Sequence, residues 1–338
     1  MKAVAYFHNL PIDNPESLQD ILLPEPQPGP RDLLVEVRAI SVNPVDTKVR
    51  RNAAPEAGQP KVLGWDVAGV VKAVGSEVSL FQPGERVFYA GDLTRQGGNA
   101  ELHRVDERIV GHMPKSLDFA AAAALPLTSI TAWELLFDRL QIAEGEADQG
   151  QSLLVVGAAG GVGSILVQLA RQLTGLIVIG TASRPETQAW VRELGAHHVL
   201  DHSKPLAEEL RRTGLPGVTH VASLTQTDQH LDQLVEALAP QGRLGLIDDP
   251  ASLDVGKLKR KSLSLHWEFM YTRSMFQTAD ILEQHRLLER VSQLIDAGVL
   301  KTTVGEHFGS INATNLRRAH ALLESGKAKG KIVLEGFA

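Results

Sequence analysis

Apolar residues fall into two rhythms along this chain. In the first third they come in short runs. Leu33, Val35 and Val37 alternate with polar neighbours, Val67, Val70, Val71 and Val74 form a second run, and Val87–Ala90 a third. Turn-forming clusters punctuate them at Pro28-Gly29-Pro30, Gly75-Ser76 and Pro83-Gly84. Short strands with frequent turns predict a barrel-like β domain up to about residue 125. After Ser116 the rhythm changes. Ala120–Ala124 and then Ile130, Trp133, Leu135 and Leu136 are spaced for helix, with Pro126 as a break between two helices.

Downstream, strands and helices alternate. The run Leu153–Val156 is followed by a glycine-rich turn and by Ile165, Leu166, Leu169, Ala170 and Leu173 at helical spacing. A strand at Leu176–Ile179 leads to a helix from Pro185 to Leu194, and a short strand at His198–Leu200 to a helix over Pro205–Arg212. Val218–Leu224, the helix Gln229–Leu238 and the strand Arg243–Ile247 come next. This alternation predicts an α/β unit, a doubly wound parallel sheet with helices on both faces. One more strand is expected at Leu263–Phe269, an amphipathic segment at Ile281–Ile295 and a last short strand at Lys331–Leu334. There is no internal repeat.

The turn after Leu153–Val156 carries the first chemistry. It reads Gly157-Ala158-Ala159-Gly160-Gly161-Val162-Gly163. Strand, glycine turn and helix in that order form a dinucleotide-binding unit. Gly160 lets the backbone approach a pyrophosphate, Gly163 lets the helix pack on the strand, and the helix N-terminus offers free N–H groups at Gly161 and Val162. Ala158 stands where the first glycine of the fingerprint is expected. A ligand-free tight turn is the bland alternative, and the correct flanks weigh against it.

Composition narrows the class. The 338 residues are 43% apolar and 22% charged, with a net charge of -6, which argues against nucleic acid or an anionic membrane as main partner. There is no cysteine, so disulfides, thiolate metal sites and cysteine nucleophiles are excluded. Met1–Phe7 lacks the features of a signal peptide, and no stretch approaches the roughly 20 apolar residues of a membrane span. A cytoplasmic enzyme is expected.

With these residues assembled, the chain resembles the medium-chain dehydrogenase/reductase superfamily. The branch is the zinc-free, quinone oxidoreductase-like one that includes zinc-type alcohol dehydrogenase-like proteins. The resemblance runs in order through Asn43-Pro44-Val45-Asp46-Thr47, Gly64-Trp65-Asp66-Val67-Ala68-Gly69-Val70-Val71 and Val74-Gly75. It continues through Pro83-Gly84-Glu85-Arg86-Val87, Gly97-Gly98-Asn99-Ala100-Glu101, the Gly157–Gly163 turn, and Gly326–Leu334. It implies a Rossmann domain inserted into a GroES-like β-barrel-type domain, with the cofactor in the cleft between them. The expected boundaries are 1–126, 127–277 and 278–338, the last returning to the first domain.

Two departures from the zinc alcohol dehydrogenases of that superfamily matter. Their first catalytic ligand is a cysteine where this chain has Asn43, and their second a histidine where it has Trp65. The four-cysteine structural lobe is missing too. Zinc needs three or four N, S or O ligands, and an indole supplies none. The sequence's other metal candidate, His197, His198, Asp201 and His202, reads as a solvated loop. No metal is expected.

The cofactor reading rests on the tip of the second Rossmann strand, Ile179-Gly180-Thr181-Ala182-Ser183-Arg184. An NAD enzyme of this fold places an acid there for the ribose hydroxyls. Here no carboxylate appears before Glu186, while Ser183 and Arg184 suit a 2′-phosphate. NADPH is therefore expected. The resemblance adds His202 at the adenosine end, Asn43 and Thr131 near the nicotinamide, and Thr181, Ser223, Ile247 and Lys331 to the cofactor-binding set.

Without zinc, nothing lowers the pKa of an alcohol, so an acceptor already poor in electrons is the easier substrate. The expected function is hydride transfer from NADPH to a quinone or an α,β-unsaturated carbonyl, a small-molecule electrophile. Asn43 is a candidate donor to the developing oxyanion or a loop brace, Asp46 an acid or a structural cap, and Trp65 a cleft wall or core. The rival is a catalytically weak NADPH-binding redox sensor or partner-binding protein. A short-chain reductase is excluded, because Tyr6, Tyr89 and Tyr271 are followed four residues on by Leu10, Leu93 and Met275 rather than lysine. No Gly-x-Ser-x-Gly elbow occurs. A homodimer is expected through the edge strand 263–269.

Overall fold

Strand pairing in the computed structural model, which describes residues 1–337, divides the chain into two compact units. One comprises the chain up to Ile130 and from Tyr271 onward, the other Thr131–Met270. The boundaries expected at 126/127 and 277/278 thus move a few residues. Helical backbone continues through the first of them, from Pro126 to Arg139.

The first part of the chain contributes β1 (Lys2–Tyr6), β2 (Gln19–Leu22), β3 (Asp32–Val42), α1 (Pro44–Asn52), β4 (Lys61–Val62), β5 (Val67–Val74), β6 (Arg86–Tyr89), β7 (Leu102–Asp106) and β8 (Val110–His112). Two short helices follow, α2 (Phe119–Ala123) and α3 (Pro126–Trp133). Strand β3 is the hub. It pairs antiparallel with β5 and β7, and Leu33, Leu34 and Val35 are all buried, so the expected one-sided alternation is replaced by burial on both faces. Helix α1 was not expected. Its start is nevertheless chemical: Pro44 presets the first helical φ, and the Asp46 carboxylate accepts the Asn43 N–H at 2.6 Å.

The middle of the chain contributes β9 (Ser152–Val156), α4 (Gly161–Leu173), β10 (Ile177–Thr181), α5 (Pro185–Glu193), β11 (His198–Leu200), α6 (Leu206–Arg211), β12 (Val218–Ser223), α7 (Thr227–Ala237), β13 (Leu238–Leu246) and β14 (Ser264–Trp267). These strands form one parallel sheet in the order β11-β10-β9-β12-β13-β14. Leu154, Val156, Ile179, Val221, Leu244 and Leu246 supply its dry core. Contrary to the sequence expectation, the run Phe119–Arg139 is 21 residues long and apolar enough to span a bilayer. Of its most apolar 18-residue stretch, 83% is buried within the protein, as in a core helix.

The return segment adds α8 (Thr272–Met275), α9 (Glu283–Asp296), β15 (Val304–His307), α10 (Ala313–Glu324) and β16 (Lys331–Glu335). Strand β16 slots between β15 and β3, with Ile332 opposite Val42. Helix α10 packs on α1. On that face His320 is fully buried, and neither ring nitrogen has a hydrogen-bond partner. Burial, with the Arg50 guanidinium nearby, pulls His320 down from 6.5 to about 3. The unfolded chain therefore takes up a proton below about 6.5 that the folded chain refuses, and stability is lost as pH falls from there toward 3. In His320→Leu the acid loss of stability should be shallower, by a slope that approaches about 1.4 kcal/mol per pH unit at the acid end, read from urea midpoints between pH 6.5 and 4.5. Parallel curves for the two proteins would show that this imidazole does not contribute.

Candidate functional site

At the C-terminal edge of the parallel sheet, the strand ends deliver several of the expected residues together. The order places β9 and β12 at the centre, where successive connections run to opposite sides; open α/β sheets bind ligands at such a switch point. Leaving β9, the chain turns at Gly157 with φ +79°, so the left-handed step falls one residue before the fingerprint position and Ala158 fits there. Gly160 caps α4 with no side chain in the way; a Cβ there would meet nothing closer than 3.5 Å. At Gly163 a Cβ would lie 2.5 Å from the Gly157 carbonyl oxygen, so helix and turn pack closely. The first-turn N–H groups of Gly161, Val162 and Gly163 are those an α-helix leaves without intrahelical acceptors.

Around this turn the strand tips are tied by hydroxyls. Thr181, ending β10, accepts the Gly157 N–H at 3.2 Å and meets His202 Nδ1 at 3.2 Å. Half burial holds His202 below its ordinary range, which favours a neutral ring. Ser223, ending β12, shares a 2.8 Å hydrogen bond with the Thr227 hydroxyl. Thr227 donates to Asp248 through both its hydroxyl, at 2.5 Å, and its N–H, at 2.9 Å. Ile247 sits half-buried at the end of β13, just before that acid. Sequence reasoning missed Thr227 and Asp248. The one available signal was an acid directly after a predicted strand. Ser183 and Arg184 follow β10 at the surface, and Arg184 Nε lies 3.2 Å from Glu186.

The catalytic candidates of the other unit lie elsewhere in character, in a sealed polar network. The Asn43 amide is buried and engaged at both ends. Its Nδ2 donates to Asp66 Oδ2 at 2.8 Å and its Oδ1 accepts from Lys331 Nζ. In this arrangement Asn43 is a brace rather than a free donor. Lys331, expected to reach the cofactor, turns inward. It is 3% exposed, and its ammonium donates to Val42 O, Asn43 Oδ1 and Asp66 Oδ2, one acceptor for each proton.

Trp65 is 1% exposed with its indole N–H on the Asp92 carbonyl at 3.1 Å, a core side chain. Asp46 accepts N–H bonds from Asn43 and, at 3.2 Å, from Gly64, while burial raises its carboxyl to about 7. Asp66 is likewise raised by burial, against the pull of the Lys331 ammonium. Thr131 is buried within α3 of the other unit.

The residues standing at the zinc positions do not suit that metal. One is an amide with both ends bonded, the other an indole, and zinc asks for imidazole, thiolate or carboxylate donors with a lone pair to spare. The histidine-rich stretch does not converge either. His197 Nδ1 accepts the Val178 N–H, Asp201 accepts from Ser203, and His202 faces Thr181. Among the described residues no group of three or more His, Cys, Asp or Glu is arranged to hold a metal ion.

Glycine turn, switch point and parallel order together define a nucleotide-binding dehydrogenase or reductase fold. Residues 29–115 match the alcohol dehydrogenase GroES-like domain and residues 194–334 the zinc-binding dehydrogenase family. A zinc-type alcohol dehydrogenase-like protein of Staphylococcus aureus (strain MSSA476) is 40% identical over 312 residues, covering 92% of both chains. A crystal structure of a Rhizobium etli CFN 42 protein, named as a zinc-dependent alcohol dehydrogenase, is 57% identical with a TM-score of 0.97. It covers 100% of this chain, which covers 98% of it. The Escherichia coli quinone oxidoreductase complexed with NADPH is 26% identical, with a TM-score of 0.84 over 99% of this chain and 100% of that one. The chain belongs to the medium-chain dehydrogenase/reductase superfamily, in its quinone oxidoreductase-like branch.

Proposed function

We propose that the protein is an NADPH-dependent reductase that delivers hydride to a quinone or an α,β-unsaturated carbonyl without zinc. One observation carries the cofactor reading: Ser183, exposed, and Arg184, half-exposed, stand past the tip of β10, and no acid precedes Glu186. The E. coli quinone oxidoreductase, which shares the fold, is complexed with NADPH.

In this reading the N–H groups of Gly161–Gly163 hold the pyrophosphate, and the absence of a side chain at Gly160 permits close approach. Arg184 and Ser183 take the 2′-phosphate; Thr181, His202, Ser223 and Ile247 line the strand ends beside it. When bound, the reduced nicotinamide supplies a hydride. The acceptor takes it at carbon, and a proton then completes the hydroquinone or the saturated carbonyl. Since the Asn43 amide is already spent, the protein contributes orientation and exclusion of water more than a dedicated acid.

A screen of NADPH consumption over simple quinones and enones tests this. Steady turnover is expected, unchanged after dialysis against chelator, with no stoichiometric zinc by elemental analysis. Near-unit zinc that tracks activity would remove the zinc-free reading. Tight NADPH binding with no turnover on any acceptor would move the protein to the sensor reading.

The same proposal takes the free side of β14 as the place where a second copy pairs. It is an edge strand, with Trp267 51% and Phe269 48% exposed at its end. Sedimentation at micromolar concentration should give a dimer. A monomer there would leave this edge without a partner.

A further inference from the structure

The Lys331 ammonium lies in a cage of three oxygens: Asp66 Oδ2 at 2.8 Å, the Val42 carbonyl at 3.2 Å, and Asn43 Oδ1. The cage is closed to water, since Asn43 and Asp66 are fully buried. Its charges also settle which way the Asn43 amide points. Oδ1 faces the cation and Nδ2 faces the carboxylate; turning it over would set N–H groups against the ammonium and oxygen against oxygen. The other Asp66 oxygen accepts the Leu127 N–H at 2.8 Å, at the start of α3. One positive charge therefore ties together the end of β3, the segment before β5, the first turn of α3 and strand β16. The two residues at the zinc positions are part of the same knot: Asn43 Nδ2 also lies 3.4 Å from the Trp65 carbonyl.

An uncompensated buried carboxylate is far too costly to persist, so Asp66 requires a cation. In a zinc enzyme a divalent ion supplies positive charge at this place. Here the donor set rejects zinc, and the chain brings its own charge from nearly 290 positions away.

We propose that Lys331 is the resident cation of this centre, a positioning residue whose ammonium does for Asp66 and Asn43 what a bound metal would otherwise do. This rests on the zinc-free reading above. It makes a specific claim: charge, and not the shape of the lysine stem, is what the network needs. Lys331→Met keeps the stem and removes the charge. Asp66→Asn removes the opposing charge and keeps the shape.

Thermal unfolding of Lys331→Met, Asp66→Asn and the double variant decides the matter. Each single change should lower Tm by on the order of 10 °C, and the double variant should recover more than half of the Lys331→Met loss. Additive losses, or Lys331→Met and the double variant behaving alike, including both failing to fold, would overturn the assignment. Zinc content measured on the same preparations separates the two readings. Stoichiometric zinc that disappears in Asp66→Asn would overturn both. Zinc that survives Asp66→Asn, with the recovery in the double variant intact, would overturn only the zinc-free reading.

Discussion

Arg50→Met should lower the stability of the protein by about 3–5 kcal/mol, among the largest effects expected of a single substitution outside the ligand sites. Arg50 is on α1 and fully buried, yet it carries a full charge. Its guanidinium donates to the Leu10 carbonyl and to Glu324 on α10. Methionine keeps much of the stem volume, so the cavity left behind is small and the loss reports the charge and its hydrogen bonds. Glu324 is 21% exposed and can recover some hydration, which places the effect toward the lower end. Urea unfolding at neutral pH measures it through the midpoint, with the slope unchanged. Arg50→Met with Glu324→Gln should be milder than Arg50→Met alone, because the abandoned carboxylate is then neutral. A midpoint within a few tenths of a kcal/mol of wild type would mean that the helix pair is held by apolar contacts alone.

Arg184→Ala should raise the Michaelis constant for NADPH about ten- to a hundredfold and leave NADH nearly untouched. A hydrogen bond to a charged group contributes roughly 1.5–3 kcal/mol, which is that range in affinity. The side chain is 40% exposed at the start of α5, and its pairing with Glu186, itself 59% exposed, is a surface ion pair. Such pairs are worth about 0–1 kcal/mol, so Glu186 holds the guanidinium only lightly. Glu186→Gln should accordingly tighten NADPH by no more than a few-fold. The contact is remote from the nicotinamide, so the loss belongs in KM for the cofactor rather than in kcat. Kinetics with both cofactors on wild type and Arg184→Ala check it. Equal use of NADH and NADPH by the wild type would mean that this strand tip does not select the phosphate.

The parallel sheet was largely legible because its central strands, such as β9 and β10, are buried on both faces and read as continuous apolar runs. The short strand at His198–Leu200 lies where its residues predict it, and β9, β10 and β12 shift by a residue or two at their ends. Strand β13 is the exception. It begins at Leu238, five residues early, because Leu238-Ala239-Pro240-Gln241-Gly242 looks like a turn and yet pairs, with Gln241 at φ +66° and a register shift opposite Val218 and His220. Helix α10 was missed for a different reason. Its buried face is Ala313, Leu316, Ala319 and His320, small and polar enough to hide the helical rhythm. The glycine turn was readable as a local pattern. The Lys331, Asp66 and Asn43 knot was not, because no window along the chain contains residues so far apart, and nothing local to Lys331 or Asn43 shows that they bond each other. Thr227 and Asp248 escaped for a similar reason, as a contact between the start of α7 and the loop after β13.

The seat of β16 also sets an order in which the protein can form. All six strands of the parallel sheet lie between residues 152 and 267, so that unit possesses its whole hydrogen-bonding ladder once this stretch has left the ribosome. The other unit does not. The stretch Ala39–Val42 of β3 lacks a partner on one side until residues 332–335 arrive, and until Lys331 arrives Asp66 has no ammonium beside it. The N-terminal strands are thus made first and completed last, the slow case for a chain whose contacts are distant in sequence. During synthesis that short open stretch of β3 is the part most in need of protection from other chains, and its sheet closes only when β16 pairs with it.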